Sequence, residues 1–322
     1  MRGAWAFGYR FFAQRQLLHI LLLVGIGIAL PLLLQFAVFG RIVGMSNPAM
    51  LGDRPTELGN GVTPPIVMMV GYFLQIASYF ASWRLGFSLG RPAGGAFLFG
   101  LIAGLVTIGV FALICGPAIW AGRAAASAEI PFMGLLITLI PTMIVVATFY
   151  TLLAALVATI ASIQLVLAML LGAATGNVGW AATRFGGGSG AVVVLFLVLS
   201  VILMWLAARL SCTTSVMADW KTYNLLAAIR ESWRLTLEDQ WMILRYLALI
   251  AFAFGIVIIA SSVAAGLGAA AFLGETAGQR SQMAGIAFGL VLAIPLAFLA
   301  VLVPAGIYRE LTRSSMDADV FA

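Results

Sequence analysis

Residues 132–174 read FMGLLITLIPTMIVVATFYTLLAALVATIASIQLVLAMLLGAA, more than forty positions without a charge. One helical membrane crossing needs roughly 20 apolar residues, because the hydrocarbon core is about 30 Å thick and an α-helix rises 1.5 Å per residue. The run is therefore long enough for two crossings. A tight turn dividing it would fall at Tyr150-Thr151 or between Thr159 and Gln164, although no sharp turn signal marks either place. Working outward, further apolar runs lie at about 17–39, 65–83, 95–121, 191–209, 243–273 and 283–307. The expected fold is all-α: a polytopic transmembrane helical bundle of about eight spans, with six or seven as alternatives, forming one transmembrane domain over 1–322.

Composition agrees. Hydrophobic residues make up 63% and charged residues 9%, whereas a soluble domain carries about 25% charged residues. The mean hydropathy is +1.11, so most of the exterior must face lipid. The net charge of +6 rests on a single lysine and otherwise on arginine. In a soluble domain that balance would raise nucleic acid as a partner. Here the arginines stand singly between apolar runs, with no basic stripe and interleaved aromatics, so nucleic acid is not an expected partner. Cys115 and Cys212 are isolated in apolar surroundings and read as small buried residues, without disulfide or metal spacing. Arg2, Arg10 and Arg15 precede an apolar run from Leu17 to about Phe39, which is too long for a signal-peptide core and has no clear small-residue cleavage site. It reads as a retained first span, kinked at Pro31.

The connecting segments set the topology. Residues 1–16 read as an interfacial helix, with Trp5, Tyr9 and Phe12 on one face. Turn formers fill 41–64, two arginines lie in 84–94, and 122–131 is a short loop. The glycine-rich stretch 175–190 lacks the Gly-Lys-Ser/Thr ending of a phosphate-binding loop and reads as a linker. Gly100-x-x-x-Gly104 and Gly285-x-x-x-Gly289 have the small-residue spacing that lets helices approach closely. Eight spans put both termini on one side. Arg2, Arg10, Arg15, Arg84, Arg91, Arg209, Lys221, Arg230, Arg234, Arg245, Arg309 and Arg313 then share that side, twelve in all, against five opposite: Arg41, Arg54, Arg123, Arg184 and Arg280. Seven spans give at best ten against seven, with the N-terminus outside. Cytoplasmic loops are enriched in Lys and Arg, so the expected topology has eight spans and a cytoplasmic N-terminus, C-terminus and tail, 308–322.

The most polar long stretch is 210–241, expected to be a cytoplasmic amphipathic segment. Within it, Thr222–Thr236 (TYNLLAAIRESWRLT) has helical period. Leu225, Leu226, Ile229 and Trp233 share a face, and Arg230, Glu231 and Arg234 occupy the other side. Thr236-Leu237-Glu238-Asp239 fits a capping box opening the next helix. Lys221, Arg230, Trp233 and Arg234 are thus the candidate lipid or partner surface. Each cation would contribute about 1 kcal/mol beside anionic headgroups. The expected partners are membrane lipids with anionic headgroups, with a soluble protein docking on this helix as the alternative.

Ala228-x-x-x-Ser232-Trp233-x-Leu235-Thr236, followed by Trp241, resembles a segment of a bacterial polytopic family known as the glycerophosphoryl-diester-phosphodiesterase membrane domain, and of related multi-helix membrane proteins. Arg209-Leu210-Ser211 fits the helix end that precedes this segment in the family. Tyr308-Arg309-Glu310-Leu311 resembles the close of its last helix. The resemblance covers chiefly 200–312. The chain departs from it at Glu238-Asp239, where the family often has glycine, and in its span count, since members commonly have about six. The resemblance implies a bacterial inner (cytoplasmic) membrane protein and no activity, because the family's name comes from fusions to a separate catalytic domain.

No catalytic constellation accompanies these features. His19 is the single histidine, at the start of the first span, and reads as a packing or interfacial residue. No His-x-x-x-His or Cys-x-x-Cys pair exists, so neither a metal nor another cofactor is expected. The acidic residues lie mostly in loops, whereas metal-assisted diester hydrolysis needs carboxylates and histidines gathered around a metal. The inferred membrane interior holds almost no ionisable group, which argues against ion-coupled transport. Gln75, Thr142 and Gln164 are the candidate polar pocket. The chain is expected to be a non-enzymatic membrane organiser that binds lipid or a partner. A permease-like component for a small neutral or lipidic solute is the alternative, since Pro31, Pro117, Pro141, Pro295 and Pro304 could break helices around a central site.

Overall fold

The computed structural model describes residues 2–39, 63–87, 94–127, 131–160, 162, 190–272 and 292–313. These residues are helices joined by short turns, and there is no strand among them. Five of the helices are long and apolar enough to cross a membrane: Gln16–Ala37, Gly95–Gly122, Leu195–Trp220, Gln240–Val257 and Leu292–Arg313. Large apolar side chains such as Leu17, Leu105, Leu113 and Leu249 point outward from them, each about two-thirds exposed or more. So much outward apolar surface belongs in lipid, not in water.

Helix α1 (Arg2–Ala13) precedes α2, which begins as Gln16–Ile20, widens into a π-helix over Leu21–Ala29 and ends as Leu30–Phe39. Proline has no N–H, and its ring collides with the carbonyl four residues back in an α-helix. At Pro31 that carbonyl belongs to Gly27, and the wide register ends where Leu30 N–H reaches Gly25 O. The expected kink is thus spread over nine residues of π-helix. The aromatic face expected of residues 1–16 is rotated. Phe11 is buried against Gly86 and Phe87 and Phe7 stacks on Phe87, while Tyr9 is 76% exposed. Trp5 has a side chain outside the described set.

Helix α3 (Thr63–Phe87) is the hub. It packs against α1, α2, α4 (Gly94–Ser127) and α8 (Thr213–Trp220), and it is almost wholly buried from Ile76 to Phe87. The Gly100/Gly104 spacing lies at the α3–α4 contact: a Cβ at Gly100 would run into the Ala77 carbonyl, and one at Gly104 would lie 3.2 Å from Ala77 Cβ. Trp83 Nε1 donates to Val301 O at 2.8 Å, tying α3 to α11 (Leu292–Arg313), the last helix among the described residues. His19 is fully buried. Its Nδ1 lies 2.6 Å from Ser82 Oγ, and Phe11 and Phe12 flank the ring.

Helices α5 (Pro131–Phe149) and α6 (Thr151–Ile160) answer half of the question posed by 132–174. Tyr150 N–H reaches Val146 O, and Ala154 N–H reaches Tyr150 O, both at 2.8 Å. The chain therefore continues helically through Tyr150, and the tight turn considered at Tyr150-Thr151 does not form. The local irregularity is absorbed by the Thr151 hydroxyl, which donates to Ala147 O at 3.2 Å. The rest of the Thr159–Gln164 alternative, the loop 41–62, the linker 175–189, Gly285-x-x-x-Gly289 and the tail beyond Arg313 lie outside the described residues.

Helix α7 (Gly190–Leu210) turns at Ser211-Cys212 into α8. Residues 211–218 are buried, so the first third of the stretch expected at the surface belongs to the core. The amphipathic part is confined to α9 (Leu225–Leu235), after which α10 (Gln240–Phe272) opens.

Candidate functional site

A helix end leaves its last carbonyls without intrahelical partners. At the α7–α8 break three hydroxyls supply them. Ser211 Oγ donates to Ala208 O at 2.9 Å, Ser232 Oγ to Arg209 O at 2.9 Å, and Thr236 Oγ1 to Arg209 O at 3.2 Å. Ser232 Oγ also accepts the Cys212 N–H at 3.2 Å. Helix α9 is thereby fastened across the break through Ser232 and Thr236, both fully buried. The single Thr236 hydroxyl proton is shared between Ser232 O at 2.9 Å and Arg209 O of α7, so Thr236 does not serve as the first half of a capping box.

The turn into α9 is equally fixed. Lys221 adopts φ 53° and ψ 42°, the left-handed conformation that closes a helix, and the N–H groups of Lys221 and Thr222 both return to Met217 O. Arg84 Nη1 donates to Ala218 O at 2.9 Å and Asp219 O at 3.1 Å, placing a cation at the negative end of α8. Tyr308 Oη donates to Asp219 Oδ2 at 2.8 Å. Asn224 then caps α9, its Oδ1 accepting the Ala227 N–H at 3.1 Å.

The face of α9 turned to the protein carries Ala228, Ser232 and Thr236, with Leu225 and Ile229 beside them. Leu226 is 77% exposed and Trp233 37% exposed, so these two look outward, whereas Leu225 and Ile229, expected on the same face, turn toward the protein. The Trp233 ring also covers Arg209. The guanidinium carbon stands 4.2 Å from the Trp233 centroid and 6.0 Å from that of Trp205, and the two indoles meet edge to face at 5.3 Å. Arg209 is 2% exposed, and its Nε and Nη1 have no hydrogen-bond partner, so the aromatic faces are its principal compensation.

Of the candidate surface residues, Lys221 and Arg230 are exposed and enter no hydrogen bond or ion pair through their side chains. Arg234 is different. It grips Glu231 in a bidentate pair, Nε to Oε2 at 3.0 Å and Nη2 to Oε1 at 2.6 Å, and Glu231 holds its pKa above the ordinary arginine value. Asp219 and Glu231 are thus engaged inside the fold, which leaves Lys221 and Arg230 as the available cations beside Leu226 and Trp233.

No family model, curated protein or solved structure matches the chain.

The polar pocket fares differently. Gln75 Nε2 donates to Tyr79 Oη at 3.2 Å, Thr142 Oγ1 donates to Thr138 O at 2.8 Å beside the Cys115 thiol, and Gln164 lies outside the described residues. No hydrogen bond joins Gln75 to Thr142. Thr107, Thr148, Thr159 and Ser200 likewise bond the carbonyl four residues back in their own helices. Such hydroxyls present methyl and methylene groups to their neighbours, not a polar lining. Among the described residues no three His, Cys, Asp or Glu side chains gather as a metal site would require.

Sequence reasoning missed Trp205 and Asn224, and it singled out Arg209, Ser232, Thr236 and Arg84 only as parts of a motif, a cap or a charge count, not as the groups that fasten α9 and its entry turn. Two signals were available: a tryptophan one turn before the arginine that ends an apolar run, and small residues at 228, 232 and 236.

Proposed function

We propose that this chain is a non-catalytic, multi-pass protein of a bacterial inner membrane that gathers anionic phospholipid against the outer face of α9. In doing so it organises the local lipid or a partner that follows it. One observation carries the reading. Ser232, Thr236, Asn224 and Arg84 hold α9 and its entry turn rigidly, while the cations left unpaired, Lys221 and Arg230, stand beside the outward Leu226 and Trp233. An aromatic ring, an aliphatic side chain and free cations together suit the boundary between headgroups and acyl chains. The resemblance of Ala228–Thr236 to the glycerophosphoryl-diester-phosphodiesterase membrane domain is consistent with this reading. Eight spans with both termini cytoplasmic belong to it as well. The twelve-to-five division of positive residues supports that topology, and cytoplasmic labelling of a cysteine placed at position 184 would overturn it.

The test is electron spin resonance of spin-labelled phosphatidylglycerol and phosphatidylcholine around the protein in vesicles. The wild type is expected to immobilise phosphatidylglycerol preferentially. Lys221→Ala with Arg230→Ala lowers the preference by about fivefold per cation at low salt, and salt narrows the gap. Equal immobilisation of both lipids, or an unchanged preference in the double variant, defeats the proposal.

A second reading, a permease-like component for a neutral or lipidic solute, draws on the nine-residue π-helix of α2, a form frequent at functional sites. It predicts solute flux or lipid scrambling in proteoliposomes. The hydroxyls tied to their own helices weigh against it.

A further inference from the structure

Helices α6, α7 and α10 line a partly open cavity of about 580 Å³. Its walls are Val201 and Met204 of α7 facing Leu244, Ala248, Leu249 and Phe252 of α10, and Arg245 stands at one end. Besides Arg245, three hydroxyl residues line it, Thr159, Ser162 and Ser200, and two of them spend their hydroxyl protons within their own helices, Thr159 on Ala155 O and Ser200 on Phe196 O. Polarity therefore falls along the groove. Arg245 lies in the second turn of α10, next to the interfacial segment. Phe252 lies seven residues further, roughly 10 Å deeper at 1.5 Å per residue. Arg245 is exposed and makes no hydrogen bond or ion pair.

A cation without a counter-charge at the shallow end, and an apolar trough running inward, is the complement of one molecule: a phosphate ester with an attached acyl chain. We propose that this groove holds a single anionic phospholipid from the surrounding bilayer, its phosphate on Arg245 and one acyl chain along Leu249, Phe252 and Val201. The site deepens the lipid-binding reading of α9 and rests on it, but it uses different residues. The α9 surface gathers lipid collectively; the groove retains one molecule.

Native mass spectrometry of the full chain, released from phosphatidylglycerol nanodiscs into mild detergent, tests it. The wild type retains one phosphatidylglycerol. Arg245→Gln lowers its occupancy about fivefold, as loss of one interfacial cation should, and Arg245→Lys keeps it. Ala248→Trp fills the trough with Arg245 intact and also expels the lipid. Elution as a single symmetric species shows that each variant is folded. Retention in both Arg245→Gln and Ala248→Trp overturns the groove. So does loss only in the Lys221→Ala and Arg230→Ala variant, which would leave the α9 reading standing. Should the wild type retain no lipid while spin-labelled phosphatidylglycerol is still immobilised, the groove again fails alone.

Discussion

Replacing Ser232 by alanine should unfasten α9 from the α7–α8 break. The hydroxyl makes two hydrogen bonds in a fully buried setting, donating to Arg209 O and accepting from Cys212 N–H. Alanine leaves the Cys212 N–H without that acceptor, and a buried unsatisfied group costs about 1–3 kcal/mol. The Arg209 carbonyl keeps Thr236 Oγ1 at 3.2 Å, so its share of the loss is small. Side-chain hydrogen bonds in membrane proteins average about 0.6 kcal/mol and reach about 1.7. The expected cost of Ser232→Ala is therefore about 1–2 kcal/mol. Thr236→Val, which preserves shape, should cost about 0.5 kcal/mol, because Ser232 still serves the carbonyl. Together they remove both hydroxyls from Arg209 O, so the double variant should lose about 1 kcal/mol more than the sum. Reversible unfolding of the purified protein in mixed detergent and dodecyl sulfate, followed by tryptophan fluorescence, measures all three. Additivity within about 0.3 kcal/mol, or an unshifted midpoint for Ser232→Ala, would refute the shared-carbonyl account.

Three further outcomes follow from the packing. Trp233→Ala should destabilise the protein by about 2 kcal/mol by uncovering the buried Arg209 guanidinium, and Trp233→Phe should recover part of that, read by the same unfolding midpoint. Gly100→Ala should cost about 1–3 kcal/mol through collision with the Ala77 carbonyl. Gly104→Ala should cost less, and Gly109→Ala and Gly116→Ala, with nothing within 4 Å, should be neutral or slightly stabilising, as a thermal-aggregation series would show. Arg84→Ala should cost about 1–3 kcal/mol by stripping charge-assisted bonds from the Ala218 and Asp219 carbonyls. Hydrogen exchange should rise at α8 before it rises elsewhere, and no local rise would count against that role.

The apolar runs of the five long helices, the close contact at Gly100 and Gly104, and an amphipathic helix within 222–236 were legible, because length and periodicity carry them. The orientation of that helix was not. At roughly 100° per residue, Ala228, Ser232 and Thr236 fall within about 80° of one another, and Leu226 and Trp233 lie about 100° round from Ser232. A reading by hydrophobicity counts the two hydroxyl residues as polar and groups Leu225 and Ile229 with Leu226 and Trp233 on one face. What divides that face is a pair of carbonyl and amide groups at a helix break twenty or more positions earlier, which no local pattern reveals. Arg209 was counted only as a charge, and the burial of its guanidinium against Trp233 and Trp205 was not legible, because those rings come together only in the folded chain. The pocket of Gln75, Thr142 and Gln164 rested on residue type alone. Whether a helical threonine faces a neighbour or its own backbone depends on a rotamer, not on sequence spacing.

The hub helix holds its most demanding side chains for partners made much later. Trp83 finds the Val301 carbonyl 218 residues on, and its neighbour Arg84 reaches carbonyls 134 and 135 residues on. A ribosome adding about 5–20 residues per second needs about 10–40 s to close the first gap. Through that interval α3 must wait in the insertion machinery or in lipid with its indole N–H unanswered, while Arg84 meets its carbonyls earlier, once Ala218 and Asp219 are made. Assembly is thus timed by the arrival of α11. A chain released before Val301 is made has Arg84 seated on α8 but lacks the tie from Trp83 that joins α3 to α11.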